Sequence, residues 1–296
     1  MELEIQWTGV GAFFMQRGEV AILTDPFWSH YPLLRAAFGH IPPDPERIDP
    51  WLPPLGNVHA VLVGHGHYDH VSDLPYVAPM LHEQAVVLAS QTVGHTFAPV
   101  NLPRPITPVG PLVGNAERAG TWVDIADGRA RVMALESGHP NQWLFFHLWK
   151  RRLDAPRRRA PTKAAHFQEG ETYAFLVDFF EEAGSISHRV YIQTSSTGLP
   201  AGAVPPGVLD EHPVDVALLP MDVANYMAEG RTTVQDQLQA PLVVFCHWEN
   251  FFRSRDKSPR EIVKVDLRRL REIIVDTEEV RYVFPAWGSR YVIPAP

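Results

Sequence analysis

The run Val61-Leu62-Val63-Gly64-His65-Gly66-His67-Tyr68-Asp69-His70 carries the densest chemistry in the chain: an apolar strand ending in three histidines and an aspartate. Imidazole nitrogen and carboxylate oxygen are ligands that Zn²⁺, Mn²⁺ and Fe²⁺ share. A strand running into a loop aims alternate side chains at one point, so His65 and His67 can meet one ion while Asp69 and His70, just past the turn, face a second. The plainer alternative is a set of loop histidines with Asp69 capping the next helix. One histidine would suit that alternative; four metal-ligand side chains within six residues argue against it.

Other ligand-type residues stand at the ends of further strands: Asp25 in Thr24-Asp25-Pro26, His139 after Glu136-Ser137-Gly138, and His247 after Phe245-Cys246. The H-x-H-x-D-H run resembles the signature of the metallo-β-lactamase-fold hydrolases, and the resemblance extends over essentially the whole chain in the family's order. It implies that His65, His67 and His139 form one metal site with an open position for water. It further implies that Asp69, His70 and His247 form a second, and that Asp25 orients a metal-binding histidine. The alternative, on turn statistics alone, is a turn-forming Asp25 before proline. The meander leading to Asp25-Pro26 looks closest to the branch holding the L-ascorbate-6-phosphate lactonase and N-acyl-phosphatidylethanolamine phospholipase D.

One position departs from the family. Where its members place an aspartate that bridges both metals, alignment on Thr197-Gly198 puts Ser196. Loss of that carboxylate predicts one tightly held metal and one weaker. Asp222 or Glu249 could partly replace it, or both could simply make hydrogen bonds. Cys246 precedes His247 on its strand, should point to the opposite face, and reads as a small core residue.

The expected chemistry is hydrolysis. A divalent ion lowers the pKa of bound water from about 15.7 to about 7, so a metal-bound hydroxide could attack an ester, lactone, amide or phosphodiester, with Asp69 orienting the water or accepting its proton. The expected cofactors are one or two divalent ions, zinc first, with Mn²⁺ and Fe²⁺ as alternatives. A non-catalytic or regulatory metal-binding module with a decayed bridge, and a nuclease of the same fold, are the competing readings.

Strands must position these residues. Leu3–Trp7, Ala12–Met15 and Val20–Thr24 read as a meander separated by glycine turns, and Ala85–Ala89 as a buried strand. Trp122–Ile125 and Ala130–Leu135 form a hairpin about Asp127-Gly128. Tyr173–Phe180, Arg189–Gln193, Val214–Leu219, Pro241–Cys246 and Val280–Phe284 read as later strands. Ser72 to Gln84 suits a helix N-capped by Ser72, helical material is expected from the Pro220-Met221-Asp222 turn through Gln239, and Ser258-Pro259 with Glu261 predicts a long helix carrying an apolar stripe to Ile274. The implied fold is a four-layer αββα sandwich.

Composition bounds the rest. A chain of 296 residues with 45% hydrophobic residues and no linker-like tract reads as one domain, 1–296, with loop insertions near 27–56 and 141–163. In the first insertion Trp28, Tyr31, Phe38 and Trp51 either wall a substrate pocket or pack beneath the loop. In the second, Trp143, Phe145, Phe146 and Trp149 precede Lys150, Arg151, Arg152, Arg157, Arg158, Arg159 and Lys163. That segment either grips an anionic or lipid-like substrate or is a core or dimer contact followed by a solvated basic loop, the more economical reading. A net charge of -8 argues against a nucleic-acid partner. A start without a signal-peptide pattern, no apolar run of membrane-spanning length and a single cysteine point to a cytoplasmic protein acting on a small or lipid-like molecule, with homo-oligomerisation left open.

Overall fold

A computed structural model describes residues 1–140, 149–263 and 265–295. Its strands are β1 (Leu3–Gly9), β2 (Ala12–Arg17), β3 (Val20–Thr24), β4 (Val58–Leu62), β5 (Val86–Ala89), β6 (Ile106–Pro108), β7 (Trp122–Ile125), β8 (Ala130–Glu136), β9 (Tyr173–Phe180), β10 (Ile186–Gln193), β11 (Val216–Pro220), β12 (Leu242–Cys246), β13 (Arg281–Val283) and β14 (Arg290–Ile293). They form two sheets, in the orders β14-β1-β2-β3-β4-β5-β6 and β13-β12-β11-β10-β9-β8-β7. Each sheet begins as an antiparallel meander and continues with parallel strands, from β3 onward in the first and from β10 onward in the second. The parallel strands β4 and β11 are buried at every position, as strands covered on both faces must be. One apolar cluster fills the space between the sheets and runs under the helices of the second. The other lies between the first sheet and its outer loops and short helices. The result is an αββα sandwich, as expected.

The meander, the hairpin and the long strands fall where the sequence puts them, but three elements differ. The helix expected from Ser72 is broken into Tyr68–Val71, Leu74–Val77 and a 3-10 turn at Ala78–Met80, with Pro75 and Pro79 interrupting it. Its start lies upstream, and Ser72 sits at a C-cap. The helix expected from Ser258 begins only at Leu267 and ends at Ile273, capped by Asp266, whose side chain accepts from Arg269 N at 3.0 Å. The segment before it pairs instead with the chain after His247: Glu261 bridges Glu249, Asn250 N donates to Arg260 O at 2.7 Å and Ile262 N to Trp248 O at 3.0 Å. Local capping propensity loses there to a long-range backbone pairing. Strand β14, which the sequence reading missed, returns to pair antiparallel with β1.

The first insertion holds short helices at Leu33–Phe38 and Pro45–Ile48. Trp28 and Tyr31 are core residues, whereas Phe38 is 78% exposed, so these three do not form one pocket wall. In the second insertion, Trp143, Phe145 and Phe146 lie outside the described residues.

Candidate metal centre

The run after β4 turns at once into the short helix Tyr68–Val71, so His65 and His67 leave the strand end while Asp69 and His70 project from the first helical turn. Glycines alternate with the histidines for a steric reason. A side chain at Gly64 would collide with the Thr194 hydroxyl beyond β10, and one at Gly66 with the Gln168 carbonyl. The loop is therefore pressed against the second sheet. Gly138 likewise abuts Thr197, which brings the turn after β8 and the turn after β10 together beside the histidines.

Two groups of ligand atoms result. His65, His67 and His139 each offer a nitrogen, and Asp69, His70 and His247 each offer one atom; within each group these atoms lie within 4.8 Å of one another. The groups abut, with the His65 and His70 rings 3.9 Å apart between centroids. The first sheet supplies four of the side chains from the loop after β4, and the second supplies His139 after β8 and His247 after β12.

Hydrogen bonds set the tautomers. Asp25, fully buried, accepts from Gly64 N and from His70 Nδ1, both at 2.7 Å. With Nδ1 donating, His70 turns its bare Nε2 toward the centre. His139 Nδ1 donates to Pro140 O at 2.8 Å, which puts the ring's lone pair on Nε2. Among the described residues, both ring nitrogens of His65 and Nε2 of His70 are buried without a hydrogen-bond partner. Such orphaned polar atoms are costly in an interior unless something other than the protein satisfies them, and a divalent cation fits the lone pairs of His65 and His70.

The electrostatics favour the ligand forms of His65 and Asp69. Burial and the imidazoles of His70, His139 and His67 hold His65 well below the usual histidine range, neutral and ready to coordinate. Burial alone would raise Asp69, but the hydrogen bond from His247 and the nearby imidazoles hold it well below the usual carboxylate range. Burial would lower His247, yet Asp69, 3.5 Å away, pushes it up to about 9.

The backbone is strained where the centre is built. Val10, Asp25, His30 and His247 all have positive φ, between 35° and 59°, a region non-glycine residues occupy only when their surroundings enforce it. His247 N donates to Val10 O at 3.1 Å, and Val10 N donates to Glu249, so the loop after β12 and the turn after β1 clamp each other.

The Ser196 hydroxyl accepts from Gly198 N at 3.1 Å and closes its own turn. Asp222, in the first turn of the helix Met221–Ala228, lies outside both ligand groups, although its charge reaches His247. Cys246 is wholly buried in the main core, where burial pushes its thiol up.

Sequence reasoning offered hydrogen bonding for Glu249 but missed its partner, Val10, and missed an open cleft of about 690 Å³ that starts at Gly138, His139 and Thr197 and continues past Glu169 to Lys150, Arg151 and Arg152. A glutamate two residues beyond a candidate ligand was the available signal for the clamp; the cleft has none, because its walls come from distant segments.

Residues 21–160 match the family model described as the beta-lactamase superfamily domain. Solved structures agree along the full length. A metallo hydrolase named Igni18 from Ignicoccus hospitalis aligns at 15% identity and TM-score 0.54 over 100% of both chains. The chain is a metallo-β-lactamase-fold protein. An isothiocyanate hydrolase from Delia radicum gut bacteria aligns at 11% identity and TM-score 0.55, over 97% of this chain and 98% of its own. CmlA, a diiron β-hydroxylase from Streptomyces venezuelae, aligns at 14% identity and TM-score 0.52 over 99% of this chain but 54% of its own, so this metallo-β-lactamase-fold chain spans about half of that enzyme. No curated protein matches the sequence. No helix among the described residues is long and apolar enough to cross a membrane.

Proposed function

We propose that this protein is a metal-dependent hydrolase of an ester, lactone or phosphodiester. The observation that carries the reading is the pair of abutting three-ligand groups, five histidines and Asp69, with ligand atoms within 4.8 Å in each. His65, His67 and His139 would hold one divalent ion and Asp69, His70 and His247 a second, zinc first, with Mn²⁺ and Fe²⁺ suiting the same donors. When bound, such ions supply Lewis acidity and lower the pKa of a coordinated water. The chain's own residues do the rest. Asp25 keeps His70 in the tautomer that coordinates. Asp69, held ionised, can also accept a proton from the attacking water. The Gly64 and Gly66 contacts hold the ligand loop against the second sheet. The cleft from His139 to Lys150–Arg152 admits a small or lipid-like anionic substrate.

Two neighbours in the fold are described as hydrolases, which supports the reaction class, and one as a diiron enzyme, which keeps iron among the candidate metals. Because both sheets contribute ligands, we read 1–296 as one domain. Thr24-Asp25-Pro26 after the meander favours the lactonase and phospholipase D branch named above. With Ser196 closing its own turn, no carboxylate from that turn joins the two groups, so we infer one tightly held ion and one weaker.

The zinc- or manganese-loaded protein should hydrolyse bis-p-nitrophenyl phosphate or a member of a lactone panel, and His67→Ala should abolish the activity. Silence on every substrate with either metal would favour the non-catalytic module.

A further inference from the structure

Between residues 150 and 163 the chain carries seven cations, Lys150, Arg151, Arg152, Arg157, Arg158, Arg159 and Lys163, against one acid, Asp154, in a protein whose net charge is -8. All but Arg157 are exposed. The run is not a free arm, because its backbone is tied down along its length. Gly170 N donates to Arg151 O at 3.0 Å, and His95 both donates through Nδ1 to Leu153 O at 2.6 Å and accepts at its carbonyl from Arg157 N at 2.9 Å. The far end joins the first insertion, where Ile41 N donates to Thr162 O at 2.9 Å and the helix Leu33–Phe38 packs against the turn Ala164–His166.

That helix is turned the wrong way for a core element. Ala36 is its only buried residue, while Leu33, Leu34 and Phe38 are 52%, 74% and 78% exposed. Leu34 and Phe38 stand one turn apart and so share a face. Large apolar side chains exposed next to a concentrated cationic run mark an interaction surface rather than a solvated loop.

We propose that this face docks onto anionic phospholipid bilayers. The cations meet the headgroup charge while Leu33, Leu34 and Phe38 enter the interfacial layer, the combination of apolar contact and electrostatic attraction that interfacial binding requires. Charge decides against a second copy of the chain on the same face, because a twofold contact would set seven cations against seven. The exposed apolar side chains decide against nucleic acid, which the cations alone would serve and for which Leu33, Leu34 and Phe38 have no use. Lys150, Arg151 and Arg152 belong both to this run and to the cleft that reaches His139, so a docked protein would open its cleft beside the lipid surface. The inference stands apart from the hydrolase reading, and its test needs no catalysis.

The full chain should co-sediment with vesicles of three parts phosphatidylcholine to one part phosphatidylserine at about 0.1 M salt, and about tenfold less with phosphatidylcholine alone. Binding should weaken as salt rises. Leu34→Glu with Phe38→Glu, and separately Arg158→Glu with Arg159→Glu, should each cut it about tenfold with circular dichroism unchanged, since all four residues are exposed. Failure to bind phosphatidylserine vesicles, or equal binding to both compositions, would overturn the proposal. So would a dimer in light scattering that the Leu34/Phe38 variant dissolves, or salt-sensitive RNA binding in place of vesicle binding.

Discussion

Asp25 shows how much one side chain can hold. Its two carboxylate oxygens accept from two different donors, Gly64 N and His70 Nδ1, and its own backbone is kept at φ 35° while they do so. Asn at this position keeps the volume but points an NH₂ group at one of the donors. Asp25→Asn should therefore weaken binding of the metal held by His70 by about 10- to 100-fold, with the fold retained. Competition against a chelator of known affinity measures this, and an unchanged affinity would show that His70 is oriented by something else. Four of the candidate ligands were legible in the sequence because they cluster within six residues, and His139 and His247 because the resemblance singles out the histidines that end two later strands. The partner of Glu249 was not, because the amide it holds, Val10, lies 239 residues away.

At the scale of elements, the loop beginning at Phe27 is pinned by one carboxylate. Asp73, fully buried, accepts from Trp28 N at 2.5 Å and from Ser29 N and Ser29 Oγ at 2.8 and 2.6 Å. Burial nevertheless pushes its pKa up to about 6, with the hydrogen bonds from Ser29 and Trp28 opposing the shift. A carboxyl whose folded pKa exceeds its unfolded value of about 3.9 adds stability that is complete below the unfolded pKa and lost as pH rises through about 6. The two-unit difference corresponds to something on the order of 3 kcal/mol. Urea unfolding of wild type and Asp73→Asn should show the wild type losing stability relative to the variant between about pH 4 and pH 6; a constant difference across that window would place the group's folded pKa elsewhere. Elements of strong local pattern, such as the meander and the Asp127-Gly128 hairpin, were readable. The helix at Leu267–Ile273 came out shorter than its capping signals suggested because residues 260 to 262 had a backbone partner in residues 248 to 250.

At the scale of the molecule, the loaded centre would be a cross-link. Four candidate ligands ride on the first sheet and two on the second, so any ion held by His65, His67 and His139, or by Asp69, His70 and His247, would tie the sheets together. A ligand that binds only the folded state at about a hundredfold excess over its Kd stabilises by about 3 kcal/mol. Chelation should accordingly lower the melting temperature by several degrees. It should do so in two steps, because without a carboxylate from the Ser196 turn to join the two groups one ion is held more weakly and leaves first. A melting temperature indifferent to chelator would remove the metals from the structure, and a single step releasing two equivalents would remove the inequality between them.

The sequence alone located the His65–His70 cluster and the strands, because alternation along a strand and the grouping of imidazoles with carboxylate are encoded within about ten residues, while the layered fold and the places of His139 and His247 followed from the resemblance to a family. Only the tertiary structure decided which turns meet. That β14 closes the first sheet, that Gly64 and Gly66 press the ligand loop against the turn after β10 and Gln168, that Glu249 holds Val10, and that an exposed apolar helix adjoins the basic run all depend on packing between distant segments. Such contacts are chosen by how whole buried faces fit, and no local pattern of residues specifies that fit.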